Sequence, residues 1–77
     1  MLAKALAWED RAKRYLKSEL KKADVGYHEL AERLKKHGLT ETEASIANKL
    51  SRGTFAATFF LATLAALEVQ GVRLEDV

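Results

Sequence analysis

Leu39-Thr40-Glu41-Thr42-Glu43-Ala44-Ser45-Ile46-Ala47-Asn48-Lys49-Leu50-Ser51-Arg52-Gly53 is the stretch on which the fold turns. Thr40-Glu41-Thr42-Glu43 fits the S/T-x-x-E capping box, in which the Thr40 hydroxyl and the Glu43 carboxylate satisfy backbone N–H groups reciprocally. A helix therefore opens here and covers about residues 41–52. At 100° per residue Ile46, Ala47 and Leu50 face a core. Glu41, Ala44, Ser45, Asn48 and Arg52 face outward, with Thr42 and Lys49 on the flank. Gly53 stops the helix, and Thr54 can cap the next one.

Working outward, the chain has no Pro, and Gly26, Gly38, Gly53 and Gly71 divide it into helix-sized pieces. Alternating apolar and polar runs are missing, so no strands are expected. The fold class is all-α, with four to five short helices. Upstream, a second helix runs from Tyr27 to about His37, with Tyr27, Leu30, Ala31 and Leu34 inward. Gly38 ends it in the left-handed conformation, and Leu39 packs down as a turn residue. The first helix starts between Leu2 and Trp8 and ends at Ala23. Ala5, Trp8, Ala12, Tyr15, Leu16, Leu20 and Ala23 form its apolar face, opposite Arg11, Arg14, Lys17, Ser18, Lys21 and Lys22. Glu19 falls inside the apolar arc. A buried unpaired carboxylate is too costly, so Glu19 reaches the rim or pairs with a base such as Arg52.

Downstream, Thr54 to Val69 reads as a fourth helix that is apolar on two sides. Ala57, Phe60, Leu64 and Leu67 make one stripe. Phe55, Phe59, Ala62, Ala66 and Val69 make another. Either the Leu2/Leu6 segment folds over the second stripe, or two copies meet there. An exposed stripe of that length invites aggregation, which favours a homodimer through Phe55, Phe59, Ala62 and Ala66. Val72, Leu74 and Val77 suggest a closing turn or fifth helix.

The chain's 77 residues allow one domain, residues 1–77, with residues 1–10 an N-terminal extension of helix 1. Such a chain buries roughly 60% of its unfolded surface, enough for one small core. Hydrophobic residues are 48% and charged residues 31%, a globular balance. Catalytic clefts favour larger folds, and the chain has no Ser-His-Asp spacing and no Gly-rich phosphate loop, so no enzyme is expected. Without Cys there is no thiolate zinc site, and His28 and His37 lack suitable ligand neighbours, so neither metal nor cofactor is expected. The apolar run from Thr54 to Val69 is too short to span a membrane.

Net charge is only +2 but unevenly placed. Residues 11–36 carry Arg11, Lys13, Arg14, Lys17, Lys21, Lys22, Arg33, Lys35 and Lys36 against Glu19, Asp24, Glu29 and Glu32. Residues 54–77 carry Arg73 against Glu68, Glu75 and Asp76. A basic front and acidic back suit a protein that meets a polyanion with one side. The plainer account is that long Lys and Arg stems solubilise helix surfaces. Short helices, a basic first half and a third helix with small, hydrogen-bonding outer residues together point to helix-turn-helix DNA binding.

The sequence also resembles a known family. Glu29-Leu30-Ala31-Glu32-Arg33-Leu34 looks like the ELAxxL of helix 2 in Cro/C1-type (Xre-like, lambda-repressor-like) domains. Leu16-Lys17-Ser18-Glu19-Leu20 followed by Val25 looks like the helix before it. Ala47-Asn48-Lys49-Leu50-Ser51-Arg52-Gly53 is similar to the end of the family's recognition helix, and Phe60, Leu64 and Ala66-Leu67 followed by Val69 resemble its LxxLAxALxV helix. The likeness covers about residues 12–77 and implies a five-helix domain in a bacterial, cytoplasmic (nucleoid) regulator of transcription. Helices 2 and 3 form the DNA-reading unit, each longer than the family's by nearly a turn. The same mapping puts Tyr27 at a phosphate-contacting position, and Arg52 and Thr54 in a loop laid along the backbone.

The expected function is thus sequence-specific binding of double-stranded DNA, with helix 3 reading the major groove through Glu41, Thr42, Ser45, Asn48 and Lys49. Asn pairs bidentately with adenine, and Glu accepts from cytosine. Tyr27, Lys21, Lys22, Arg52 and Thr54 are the expected phosphate contacts. The plainer alternatives are a weak helix former at Ser45 and Asn48, a solvated His28, a solvated cationic face at the start of helix 1, and Trp8 as a core lid. The alternative function is a protein–protein adaptor that uses the apolar helix 4 on a partner such as RNA polymerase or a toxin.

Overall fold

The computed structural model describes residues 7–77, which form α1 (Trp8–Ala23), α2 (Tyr27–Lys36), α3 (Glu43–Arg52) and α4 (Ala57–Ala66), followed by a short 3-10 turn, Leu74–Asp76. The described residues contain no strand, so the fold is all-α as expected. Leu2 and Leu6, the segment that would cover helix 4, lie outside the described residues.

Three of the four helices end the same way, and the reason is local. After α1, the Val25 N–H reaches back to the Leu20 carbonyl (3.0 Å) and Asp24 turns left-handed at φ 58°. After α2, Leu39 N–H bonds the Leu34 carbonyl (3.0 Å), with Gly38 at φ 85°. After α4, Val69 N–H bonds the Leu64 carbonyl (2.9 Å), with Glu68 at φ 61°. Each motif satisfies orphan carbonyls and sends an apolar residue back toward the core. Val25, Leu39 and Val69 all pack on the central cluster.

That cluster is built from Leu16 and Leu20 of α1, Leu30 and Leu34 of α2, Ile46 and Leu50 of α3, and Phe59 and Leu64 of α4. α3 packs against both α1 and α2, and α2 packs against α4. Arg33 ties the last pair: its Nη1 donates to the Ala66 carbonyl (3.0 Å) while Nε and Nη2 hold Glu29. Arg11 holds the end of the described chain through a 3.0 Å bond from Nε to the Val77 carbonyl, and its guanidinium lies 4.0 Å from the Trp8 ring centroid. Trp8 is 63% exposed, so it is not a core lid.

Several expectations need correction. α3 is capped by Thr42, not Thr40. The Thr42 hydroxyl accepts from Ser45 N–H (3.0 Å) and the Ser45 hydroxyl accepts from Thr42 N–H (2.9 Å). Thr40 and Glu41 therefore enlarge the connector after α2 instead of lengthening helix 3. α4 opens at Ala57 behind Ala56, not at Thr54. Phe55 stays outside the helix, stacked on Phe60 (6.3 Å) and tilted against Phe59 (5.4 Å). Glu19 pairs with Lys22 (3.1 Å) rather than Arg52.

The dimer stripe is the largest correction. Phe59 is 2% exposed and Ala66 6%, both within the chain's own core, while Phe55 and Ala62 pack against that core half-buried. A helix apolar all round is a buried helix, and here its neighbours cover most of it. What α4 leaves outside is Ala57, Thr58, Leu61 and Ala65, a face without charge.

Candidate nucleic-acid interface

α3 meets the core with Ile46 and Leu50, both fully buried. That choice fixes the opposite arc. With 3.6 residues per turn, Ala44, Asn48, Ser51 and Arg52 lie at i, i+4, i+7 and i+8 and share one outward face. All are exposed. Three of these side chains are short, so the helix backbone stands close to its own outer surface. Asn48 offers an amide with both donors and an acceptor, and Ser51 offers a hydroxyl. Residue type alone does not single out Ser51. Its signal is the i+7 spacing from Ala44, which emerges once Ile46 and Leu50 are set inward.

The other expected base-reading side chains are drawn together differently. Glu41 Oε1 accepts from the Ser45 hydroxyl (2.6 Å) and from Lys49 Nζ (3.0 Å). The Lys49 ammonium also lies 5.5 Å from the centroid of the Phe59 ring. Glu41 keeps 12% of its side-chain surface and Lys49 27%, so both are mostly withdrawn from solvent. This is a clasp on the flank of α3. It binds the connector to the helix and neutralises one of the two carboxylates near the helix tip. A partly exposed ion pair of this sort contributes about 0–1 kcal/mol. Thr42 is exposed but spends its hydroxyl on the cap. Of Glu41, Thr42, Ser45, Asn48 and Lys49, only Asn48 faces outward with its polar group uncommitted among the described residues. Glu43 is also exposed, in the first turn of α3.

α2 packs against α3, and α4 follows α3 in the chain and packs against α2. Neither α2 nor α4 has a side-chain cap: their N-cap positions are Gly26 and Ala56. Among the described residues their first N–H groups have no side-chain partner, and such groups with the helix dipole favour anions. Tyr27, in the first turn of α2, is half-buried against the core. Arg52, the last residue of α3, and Thr54, in the connector before α4, are exposed, with Arg52 Nε 3.4 Å from the Thr54 hydroxyl. Lys21 is exposed at the end of α1, whereas Lys22 is engaged by Glu19, whose carboxylate holds the ammonium and raises its pKa. His28 is exposed. No cluster of His, Cys, Asp or Glu among the described residues could hold a metal ion. No helix among the described residues is long and apolar enough to cross a membrane.

A family model described as a domain of unknown function (DUF6471) matches residues 8–72, and the chain belongs to that family. Comparison with curated proteins and with solved structures finds no match.

Proposed function

We propose that the protein binds double-stranded DNA sequence-specifically and regulates transcription, with α3 entering the major groove and α2 behind it in a lambda-repressor-like arrangement. One observation carries this reading: the exposed arc Ala44–Asn48–Ser51–Arg52 on a short helix whose far side is anchored by Ile46 and Leu50. The major groove admits a helix, and small outer residues let the backbone approach base edges. The Asn48 amide suits the N6/N7 edge of adenine, and Arg52 reaches guanine or phosphate. The open N–H groups of α2 and α4 and the exposed Lys21 favour phosphates on either side. Glu43 opposes phosphate approach and marks the tip of α3 that must stay off the backbone.

Two copies on a palindromic site would double the readout. The α4 face available for that contact is Ala57, Thr58, Leu61 and Ala65, in place of the stripe expected from the sequence. Light scattering at the DNA-binding concentration reports the stoichiometry. A second reading, a protein adaptor, is favoured by Leu61, which is 63% exposed on that chargeless face. The test between them is recovery of genomic duplex fragments by the protein, followed by footprinting. DNA binding predicts a discrete protected site whose affinity falls steeply from about 50 to 200 mM salt. It also predicts that Asn48→Ala removes about 1–3 kcal/mol of discrimination at one position. Salt-independent retention that ignores Asn48 and is lost in Leu61→Asp is the adaptor's result.

A further inference from the structure

The cations of this surface divide sharply by partner. Lys13 pairs with Asp10, Lys22 with Glu19, Arg33 with Glu29, Lys35 with Glu32, Lys49 with Glu41 and Arg73 with Glu75. Arg11 is held by the Val77 carbonyl and the Trp8 ring. Among the described residues, Arg14, Lys17, Lys21, Lys36 and Arg52 have no acidic partner. Three of these five, Arg14, Lys17 and Lys21, sit at i, i+3 and i+7 on the outer face of α1, and all three are exposed. A solvated face chosen only for solubility mixes its signs. Six of the eleven acidic residues are taken up in those pairs, and three of the five unpartnered cations are gathered on one line of α1, with Asp24 just beyond its end.

The position of that line matters. Lys13 Nζ donates to the Ser51 carbonyl (3.2 Å), and the Glu9 carbonyl lies against Gly53, so the first half of α1 abuts the C-terminal end of α3. Lys17 and Lys21 follow Lys13 at i+4 steps, one turn apart. The row therefore starts beside the exit of α3 and ends at the connector that opens α2, whose first N–H groups are uncapped. The opposite face of α1 carries the buried Leu16 and Leu20, so this helix cannot lie in a lipid surface by its apolar side.

We infer that Arg14, Lys17 and Lys21 form a second contact surface for the phosphate backbone of double-stranded DNA, flanking the α2–α3 unit. This inference rests on the DNA-binding reading and extends the protein's footprint beyond α3. The three side chains carry no sequence information. They hold the duplex non-specifically and set the register in which α3 is presented.

The test uses the full chain and a fluorescein-labelled duplex of mixed sequence, with anisotropy measured from about 50 to 200 mM salt. In one variant Arg14, Lys17 and Lys21 are all changed to Gln. In a control variant Lys22, Lys35 and Arg73, which are also exposed but paired, are changed to Gln. Each phosphate contact contributes about 0.9 to the slope of log affinity against log salt. The α1 variant should lose about 2.7 of that slope, so its affinity falls about 40-fold less than the parent's across the range. The control should keep most of the parental slope, and circular dichroism should show parental helix in both. Equal losses in the two variants would mean a net-charge effect and would overturn the assignment. A parental slope in the α1 variant would overturn it while leaving the α3 reading intact. A parent that binds no duplex, or binds only anionic vesicles, would remove both.

Discussion

Replacing Gly53 by Ala sets α3 against α1. Gly53 closes α3 at φ 76°, and a residue with a Cβ pays roughly 1–2 kcal/mol in that region. Gly38 has nearly the same conformation, φ 85°, but faces open space. Gly38→Ala therefore reads the conformational cost alone. At Gly53 the new methyl would overlap the backbone carbonyl of Glu9 in the first turn of α1. A main-chain carbonyl inside a helix cannot swing aside as a side chain can. Either α1 shifts from α3, stretching the bond between Lys13 and the Ser51 carbonyl, or the last turn of α3 unwinds. Overpacking of this kind adds about 1–3 kcal/mol. The expected loss is about 2–5 kcal/mol for Gly53→Ala, against about 1–2 kcal/mol for Gly38→Ala. A 77-residue domain has a total stability of about 4–12 kcal/mol, so the first change removes a large share. Urea titration followed by helical circular dichroism measures both. Equal losses at the two glycines would refute the close α1–α3 contact.

Other substitutions test other parts of the structure. Thr42→Ala should cost about 1 kcal/mol by opening the cap of α3, while Thr40→Ala should change stability by less than about 0.5 kcal/mol. Equal effects in chemical denaturation would return the cap to Thr40. The Thr63 hydroxyl is fully buried without a hydrogen-bond partner among the described residues, so Thr63→Val should stabilise by about 1 kcal/mol and raise Tm. A lower Tm would reveal a partner for the hydroxyl. Burial, reinforced by the nearby Glu19 carboxylate, raises the Tyr15 phenol above its ordinary value of 10.0. The fold therefore favours the neutral phenol. That contribution is complete below pH 10.0 and is lost as pH rises through the folded-state pKa. Tyr15→Phe should flatten the alkaline limb of stability against pH, and parallel limbs in the two proteins would rule out Tyr15 as its source.

Much of the architecture was legible because the apolar spacing left few choices. Leu30, Ala31 and Leu34 could share a core only on a helix, and Gly38 could only be its exit. The start of α3 was harder. Thr40–Glu43 and Thr42–Ser45 are both acceptable capping pairs, and local sequence does not rank them. The choice is made by Glu41, which bonds both Ser45 and Lys49 and so belongs in the connector rather than in the helix. For α4, Thr54 is the better cap by type, but packing of Phe55 on Phe59 and Phe60 keeps the chain extended until Ala56. On sequence alone the two-sided apolar pattern of α4 reads as surplus for a partner. It is consumed inside the chain, so Phe59→Asp would unfold the domain instead of reporting on an interface. Of the candidate site, Asn48 and Arg52 were legible from helical phase. The clasp of Glu41, Ser45 and Lys49 was not, because its partners lie on a non-helical stretch and a helix flank, where a fixed angular step no longer applies.

The most direct measurement is a residue-by-residue map of the protein in contact with DNA. A duplex enriched from a random library by the wild-type chain is titrated into isotope-labelled protein, and backbone and side-chain amide resonances are followed. The expected result is that Ala44, Asn48, Ser51 and Arg52 shift most, the Asn48 side-chain amide among them, with any change at Leu61 and Ala65 smaller and tied to pairing of two copies. Shifts centred on Leu61 and Ala65, or no enriched duplex at all, would contradict it.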